Sequence, residues 1–261
     1  MLRRLFFALA FCLAARSALG GAFLQPEGML LVLNESTFSG SLQAFDDRGR
    51  LIPVSGYQKF TLDTALEYGA LDWLTLLGRL EAVGVYSQGP PAAYYRGPGM
   101  HELGARVELG RALDKDLVFS AQALLRAPGA RTPNPAAVGM TAIETDLRLM
   151  AGGSFELRDH PGFWSAEFAQ RKRGGSGPDE LRLELTAGFA IFDRLQAIGQ
   201  SFHVYTQRVD LAPQSQSHKA QVSLMLNPGR SWSLQAGAFR TLASVNARRD
   251  NGVMVALWRR M

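Results

Sequence analysis

The sequence predicts an all-β protein: an antiparallel transmembrane β-barrel of about twelve strands, with ten or fourteen also compatible with its spacing. Three observations point there. Segments of about ten residues alternate apolar and polar side chains with a period of two. The connections between them alternate between short and long. A short secretory leader precedes the first segment.

The leader is expected over residues 1–20, followed by a single barrel domain over 21–261. Arg3 and Arg4 supply its charged start, residues 5–15 its apolar stretch, and Ala18 and Gly20 the small residues before a cut ahead of Gly21. As a helix, eleven residues span only about 16 Å, against a hydrocarbon core of about 30 Å. This stretch is therefore too short for an anchor. The only cysteine, Cys12, lies inside it, so the mature chain has no disulfide and no thiolate chemistry.

Twelve candidate strands follow. The first, 28–38, does not choose a face. In 56–69, Phe60, Leu62, Leu66 and Tyr68 oppose Lys59, Asp63 and Glu67. In 73–86, Trp73 shares parity with Arg79 and Glu81. In 101–111, Leu103, Ala105, Val107 and Leu109 oppose Glu102, Arg106 and Glu108. Segment 117–126 ends on Arg126. In 143–157, Leu147, Leu149, Phe155 and Leu157 oppose Glu144, Asp146, Arg148 and Glu156. Segment 162–172 carries Trp164, Glu167 and Arg171. Segment 179–192 is the most regular, with Leu181, Leu183, Leu185, Ala187, Phe189 and Ile191 on one face. Segment 195–208 is again undecided. In 217–227, Val222, Leu224 and Leu226 oppose Lys219. Segment 231–241 opens with Trp232, and 251–259 is apolar on both faces.

Short connections are expected at 70–72, 112–116, 158–161, 193–194 and 228–230. Long ones are expected at 39–55, 87–100, 127–142, 209–216 and 242–250, with 173–178 intermediate. With an even number of strands, both termini fall on the short-turn, periplasmic side. A soluble sandwich would also alternate. Mid-strand charges and strands of 10–14 residues argue for a membrane barrel, because a tilted spanning strand needs about 9–11 residues. Tryptophan placement agrees: Trp73, Trp164 and Trp232 follow short turns, and Trp258 ends the last strand, where an indole prefers the headgroup level. Tyr68 belongs to the same rim. Closure follows because an open edge would leave backbone groups unpaired in hydrocarbon.

The formal charge of +5 does not mark a nucleic-acid binder. Without Arg3, Arg4 and Arg16 of the leader, 25 basic residues face 23 acidic ones, and no long basic run remains. No cofactor or metal site is expected. Gly174-Gly175-Ser176-Gly177 lacks the strand–Lys–helix context of a phosphate loop.

The mature start Gly21-Ala22-Phe23-Leu24-Gln25-Pro26-Glu27-Gly28, the stretch Phe45-Asp46-Asp47-Arg48-Gly49-Arg50-Leu51-Ile52-Pro53-Val54, Lys59-Phe60 and Glu67-Tyr68-Gly69-Ala70-Leu71-Asp72-Trp73-Leu74-Thr75-Leu76 carry a resemblance. Over about the first 80 residues the chain resembles uncharacterised proteobacterial outer-membrane barrel proteins. It is similar to porin-like proteins, including those associated with aromatic-compound degradation. The resemblance implies an outer-membrane location, a lipid bilayer around the barrel and handling by the outer-membrane insertion machinery. Such barrels usually end in an aromatic residue; here Arg259, Arg260 and Met261 follow Trp258.

Parity assigns inward-facing ions. The acids are Asp63, Glu67, Glu81, Glu102, Glu108, Glu144, Asp146, Glu156, Glu167, Glu180 and Glu184. The bases are Lys59, Arg79, Arg106, Arg126, Arg148, Arg171, Arg182 and Lys219. Mixed signs on neighbouring strands favour ion-pair ladders over a single-sign filter. The expected function is a narrow channel or passive transporter for small solutes, of unspecified solute and oligomeric state. A structural or adhesive barrel acting through loop residues such as Tyr94, Tyr95 and Arg96 is the alternative. An outer-membrane lipid hydrolase is a weaker one: Ser201 and His203 share a strand face, and such a pair needs hydrogen-bond contact to work.

Overall fold

The computed structural model describes residues 21–89, 92–113, 116–129, 136, 142–157, 160–175, 177–209, 213–229 and 231–261. The leader expected over 1–20 lies outside them. Among the described residues every regular element is a strand: β1 (Leu30–Phe45), β2 (Leu51–Leu71), β3 (Leu74–Ser87), β4 (Ala93–Pro98), β5 (Met100–Ala112), β6 (Leu117–Pro128), β7 (Glu144–Leu157), β8 (His160–Arg173), β9 (Glu180–Phe192), β10 (Leu195–Thr206), β11 (Ser215–Leu226), β12 (Trp232–Val245), β13 (Ala247–Arg248) and β14 (Asn251–Arg260).

All pairings are antiparallel, most of them between strands consecutive in the chain, and the sheet closes on itself. β1 pairs β2 along one edge. Along the other it pairs β14, from Leu31↔Arg260 to Gly40↔Asn251. Leu30 N and Met261 N each donate to the other residue's carbonyl at 2.9 Å. The tail that departs from the usual aromatic terminus is thus part of the closing seam. Twelve strands form the barrel. β4 and β13 are additions inside loops, and β4 continues β5 along the far half of β3.

Several expected loops are partly strand, 242–250 among them, where β12 runs to Val245 and β13 follows. Segment 39–55 was expected as a loop, but the β1–β2 ladder runs on to Phe45↔Leu51. The turn closes beyond it: Asp46 Oδ1 accepts from the backbone N–H groups of Arg48 and Arg50 at 2.9 and 2.8 Å. Alternation weakens there because this end of the hairpin has no lipid to face, not because pairing stops. In 87–100, β4 carries Tyr94, Tyr95 and Arg96 as a ladder against β3.

The outer surface explains why these residues form long strands. Leu103, Leu109, Leu147, Leu149 and Val222 are exposed, Leu103 by 71%. An apolar belt of this extent is untenable in water and is what a lipid-facing sheet requires.

The strands without a clear face have a common explanation. Leu31 and Leu33 of β1, Ile198 of β10, Met225 of β11, and Met254, Ala256 and Trp258 of β14 meet Phe163 in an apolar cluster inside the barrel. Both faces of β14 are apolar for different reasons, lipid outside and this cluster inside, and in β1 and β10 the cluster adds apolar residues to the inward face.

Candidate functional site

The candidate site is the barrel interior, and its wall has two characters. From β2 to β9 it carries a continuous ion-pair ladder. Lys59 lies 3.6 Å from Glu81, and Arg79 binds Asp63 at 2.9 Å. Arg126 joins Glu102 at 2.7 Å and also contacts Glu144. Arg171 reaches Asp146 at 3.0 Å and Glu180 at 3.6 Å. Arg173 reaches Glu144 at 3.1 Å. Arg148 is the centre of the ladder, within 2.8 Å of Asp146, 2.9 Å of Glu167 and 3.4 Å of Glu184. Arg182 also meets Glu184, at 3.1 Å. Alternation places these ions; register decides who pairs with whom, since most partners lie on adjacent strands at near-opposite positions.

The remaining wall, β10 to β14 with the start of β1, is amide-rich or apolar. Gln196, Ser223, Ser233 and Gln235 are buried beside the apolar cluster. Trp258 Nε1 donates to Gln235 Oε1 at 3.0 Å, and Gln235 Nε2 donates to Ser223 Oγ at 2.8 Å. Lys219 lies 4.8 Å above the Phe239 ring, a cation–π contact. Exposure along the ladder is uneven: the Lys59 and Arg79 side chains of β2 and β3 keep 33% and 42% of their surface accessible, whereas Glu144, Asp146 and Arg171 are buried.

The short-turn half holds a feature that alternation does not encode. Residues 21–26 turn back into the barrel as a strap. Gly28, at φ +78°, makes the reversal; Met29 N donates to Pro26 O at 3.0 Å and Gly28 N to Gly69 O at 2.8 Å. Gln25 N then donates to Thr75 Oγ1 at 2.9 Å, and Gln25 Nε2 to Glu67 Oε2 at 2.9 Å. Arg106, buried and 3.3 Å from Glu67, gives one N–H to the Phe23 carbonyl at 2.8 Å. Its Nε donates to Gln122 Oε1 at 3.1 Å. Ala22 and Phe23 are buried against Gly152. The strap so crosses from β2–β3 to β7–β8.

Two inward glycines make room for it. A Cβ on Gly69 would stand 2.0 Å from Pro26 O, and one on Gly152 would stand 3.0 Å from Ala22 Cβ. The anchors Phe23, Gln25, Thr75 and Gln122 were not singled out in the sequence; glycine at inward parity in two strands is the one signal that could have found them.

Among the expected site residues, Glu108, Glu156 and Lys219 stand apart from the ladder, and Glu67 with Arg106 belongs to the strap. Glu108 pairs at 2.7 Å with Arg111 close to a short turn, and Glu156 is exposed near the short turn after β7. Trp73, Trp232 and Tyr68 are exposed at the short-turn end. Trp164 lies on the outer face over Gly153. Trp258 differs from the expectation of a rim residue. It turns inward and is 7% exposed, because the even positions of β14 face the apolar cluster and parity cannot be read where both faces are apolar.

Ser201 and His203 do come into contact, with His218 as a third partner. Ser201 Oγ lies 3.1 Å from Nε2 of each ring.

No protein-family model matches the chain, and no curated protein sequence matches it. Solved structures do. The chain is similar to an outer membrane channel from Pseudomonas putida F1, with a TM-score of 0.75 at 15% identity over 93% of this chain and 99% of that one. It is also similar to the β domain of the Bordetella autotransporter Brka, with a TM-score of 0.57 at 12% identity over 88% and 98%. The NanC porin aligns with a TM-score of 0.51 at 7% identity over 85% and 98%. At these identities the likeness is one of fold, that of an outer-membrane β-barrel.

Proposed function

We propose that this chain works in the outer membrane as a narrow passive channel for small solutes, held closed at rest by the strap 21–26. The observation that carries the reading is the lining. A ladder of charged groups is enclosed by a barrel whose outside is apolar, and Lys59 and Arg79 within it remain accessible to water. A barrel serving only as an anchor has no use for accessible ions in its interior, and an adhesive one would act through its loops. The similar solved structures that are a channel and a porin support the same reading.

The two-sided wall bears on the solute. A molecule passing between Arg148 and Arg171 on one side and Ile198 and Met225 on the other meets charge and apolar surface together. That suits a small amphiphile, in keeping with the resemblance to porin-like proteins of aromatic-compound degradation. In this reading the leader is removed ahead of Gly21, and the barrel is placed in the membrane by the insertion machinery.

Planar-bilayer recording of the folded protein tests the proposal. The intact mature chain should show small, intermittent conductance, and deletion of residues 21–26 should make it larger and steady. A folded barrel that conducts in neither form refutes it.

A further inference from the structure

We propose that Ser201, His203 and His218 form a site for one divalent transition-metal ion on the outer face of the barrel, near its long-loop rim. His203 of β10 stands directly opposite His218 of β11. Their rings stack with centroids 4.1 Å apart and planes 13° from parallel. Ser201 Oγ contacts Nε2 of both at 3.1 Å. The hydroxyl has one hydrogen, so it donates to one ring and accepts N–H from the other. One imidazole nitrogen is therefore already a free-base acceptor, the form that binds metal.

The surroundings make the cluster conspicuous. Leu181, Leu183 and Leu185 of β9 stand opposite Tyr205, His203 and Ser201. Three converging polar side chains thus stand beside a leucine row on the outer face, satisfied by one another. A shallow depression of about 450 Å³ opens over them, lined in part by Phe168, Leu183, Tyr205 and Gln216. It leaves room for the ion and its water ligands.

The distances fit an ion such as Zn²⁺, Ni²⁺ or Cu²⁺, for which imidazole is a preferred ligand. With metal–ligand bonds of about 2.0–2.1 Å, ligand atoms stand about 2.9 Å apart at a right angle and about 3.4 Å apart in a tetrahedron. The observed 3.1 Å contacts lie between these values. Stacked rings aim their lone pairs side by side, so binding rotates both imidazoles about χ2, a soft torsion, and the ion replaces the hydroxyl bridge. A hydrolytic role fits less well. Among the described residues the polar partner given to both imidazoles is Ser201, not an orienting carboxylate. β10 is laddered to β9 and β11 along its length, so its backbone offers no ready N–H pair for an oxyanion.

Detergent-solubilised folded protein, stripped with chelator, should bind Zn²⁺ at one ion per chain in calorimetry. Cu²⁺ loaded into the same site should show two imidazole nitrogens in its electron paramagnetic resonance spectrum. His203→Gln or His218→Gln should each weaken Zn²⁺ binding by about tenfold or more, and Ser201→Ala by less. No saturable binding, equal binding by the histidine variants, or a spectrum with a single nitrogen overturns the proposal. Vesicle phospholipid hydrolysis abolished by Ser201→Ala would also overturn it, in favour of a nucleophile. The copper spectrum uses the unaltered chain, so it decides even if a variant fails to fold.

Discussion

Gly69→Ala should unseat the strap while leaving the barrel intact. The new Cβ would stand 2.0 Å from Pro26 O, whereas unstrained contacts begin well beyond 3 Å, so the strap has to retreat by about 1 Å or more. The strap has little stability to spare. Its bonds from Gln25 to Thr75 and Glu67 and from Arg106 to Phe23 contribute about 4–7 kcal/mol, two of the three involving charged groups. Burying Phe23 adds about 2–3 kcal/mol. Ordering residues 21–25 costs about 5–10 kcal/mol. The balance lies within a few kcal/mol of zero, so docked and released forms exchange. An overpacking cost of about 1–3 kcal/mol then raises the ratio of released to docked forms roughly fivefold to a hundredfold or more. Single-channel recording reads this as open time. Gly78→Ala is the control, since a Cβ there meets nothing within 4 Å. If Gly69→Ala folds, as judged by a gel-mobility shift on boiling, yet matches Gly78→Ala in open time, the strap is not the gate.

Three further outcomes are expected. Arg148→Met leaves Asp146, Glu167 and Glu184 facing one another without their shared partner; it should cost about 3–5 kcal/mol, seen as a lower temperature for the boiling shift, and should turn any conductance more cation-selective. Trp258→Ala should cost a similar 3–5 kcal/mol, and in lipids carrying brominated chains Trp258 should be quenched less than Trp164 or Trp232, because it faces the interior. The Asp46 carboxyl is held below its ordinary value by the Arg50 N–H first, and then by Arg48 N–H and the Arg50 guanidinium. Its contribution to the β1–β2 turn is therefore complete above the unfolded value of about 3.9 and is lost as pH falls through the lowered folded value. Hydrogen exchange of the Arg48 and Arg50 amides should be indifferent to pH-linked opening at neutrality and accelerate relative to the intrinsic rate only in strong acid.

What could be read from the residues follows from the physics of a sheet between two solvents. Alternation in 179–192 and 143–157 is strong because lipid and a charged lumen demand opposite chemistry on the two faces, and those strands appear as β9 and β7. Where both faces are apolar, as at Met254, Val255, Ala256 and Leu257, alternation carries no information, and the side taken by Trp258 could not be inferred. Pairing beyond the lipid belt was also illegible, so Leu42 and Gln43 read as loop although they extend β1. The strap was hidden for a different reason. Its anchors are single contacts between residues up to 83 positions apart, such as Arg106 with Phe23, and no local period announces them. The same holds for His218, which meets Ser201 only through the β10–β11 register.

The strap also carries Gly21 into the interior, where it is buried. Gly21 lies against Ser165 and near Glu167, so close that even a Cβ there would stand 2.7 Å from Ser165 Oγ. A larger side chain at position 21 would therefore press the strap away from β8. A tag placed in the Asp46–Arg50 turn, at the opposite end of the barrel, would leave the strap and its anchors untouched.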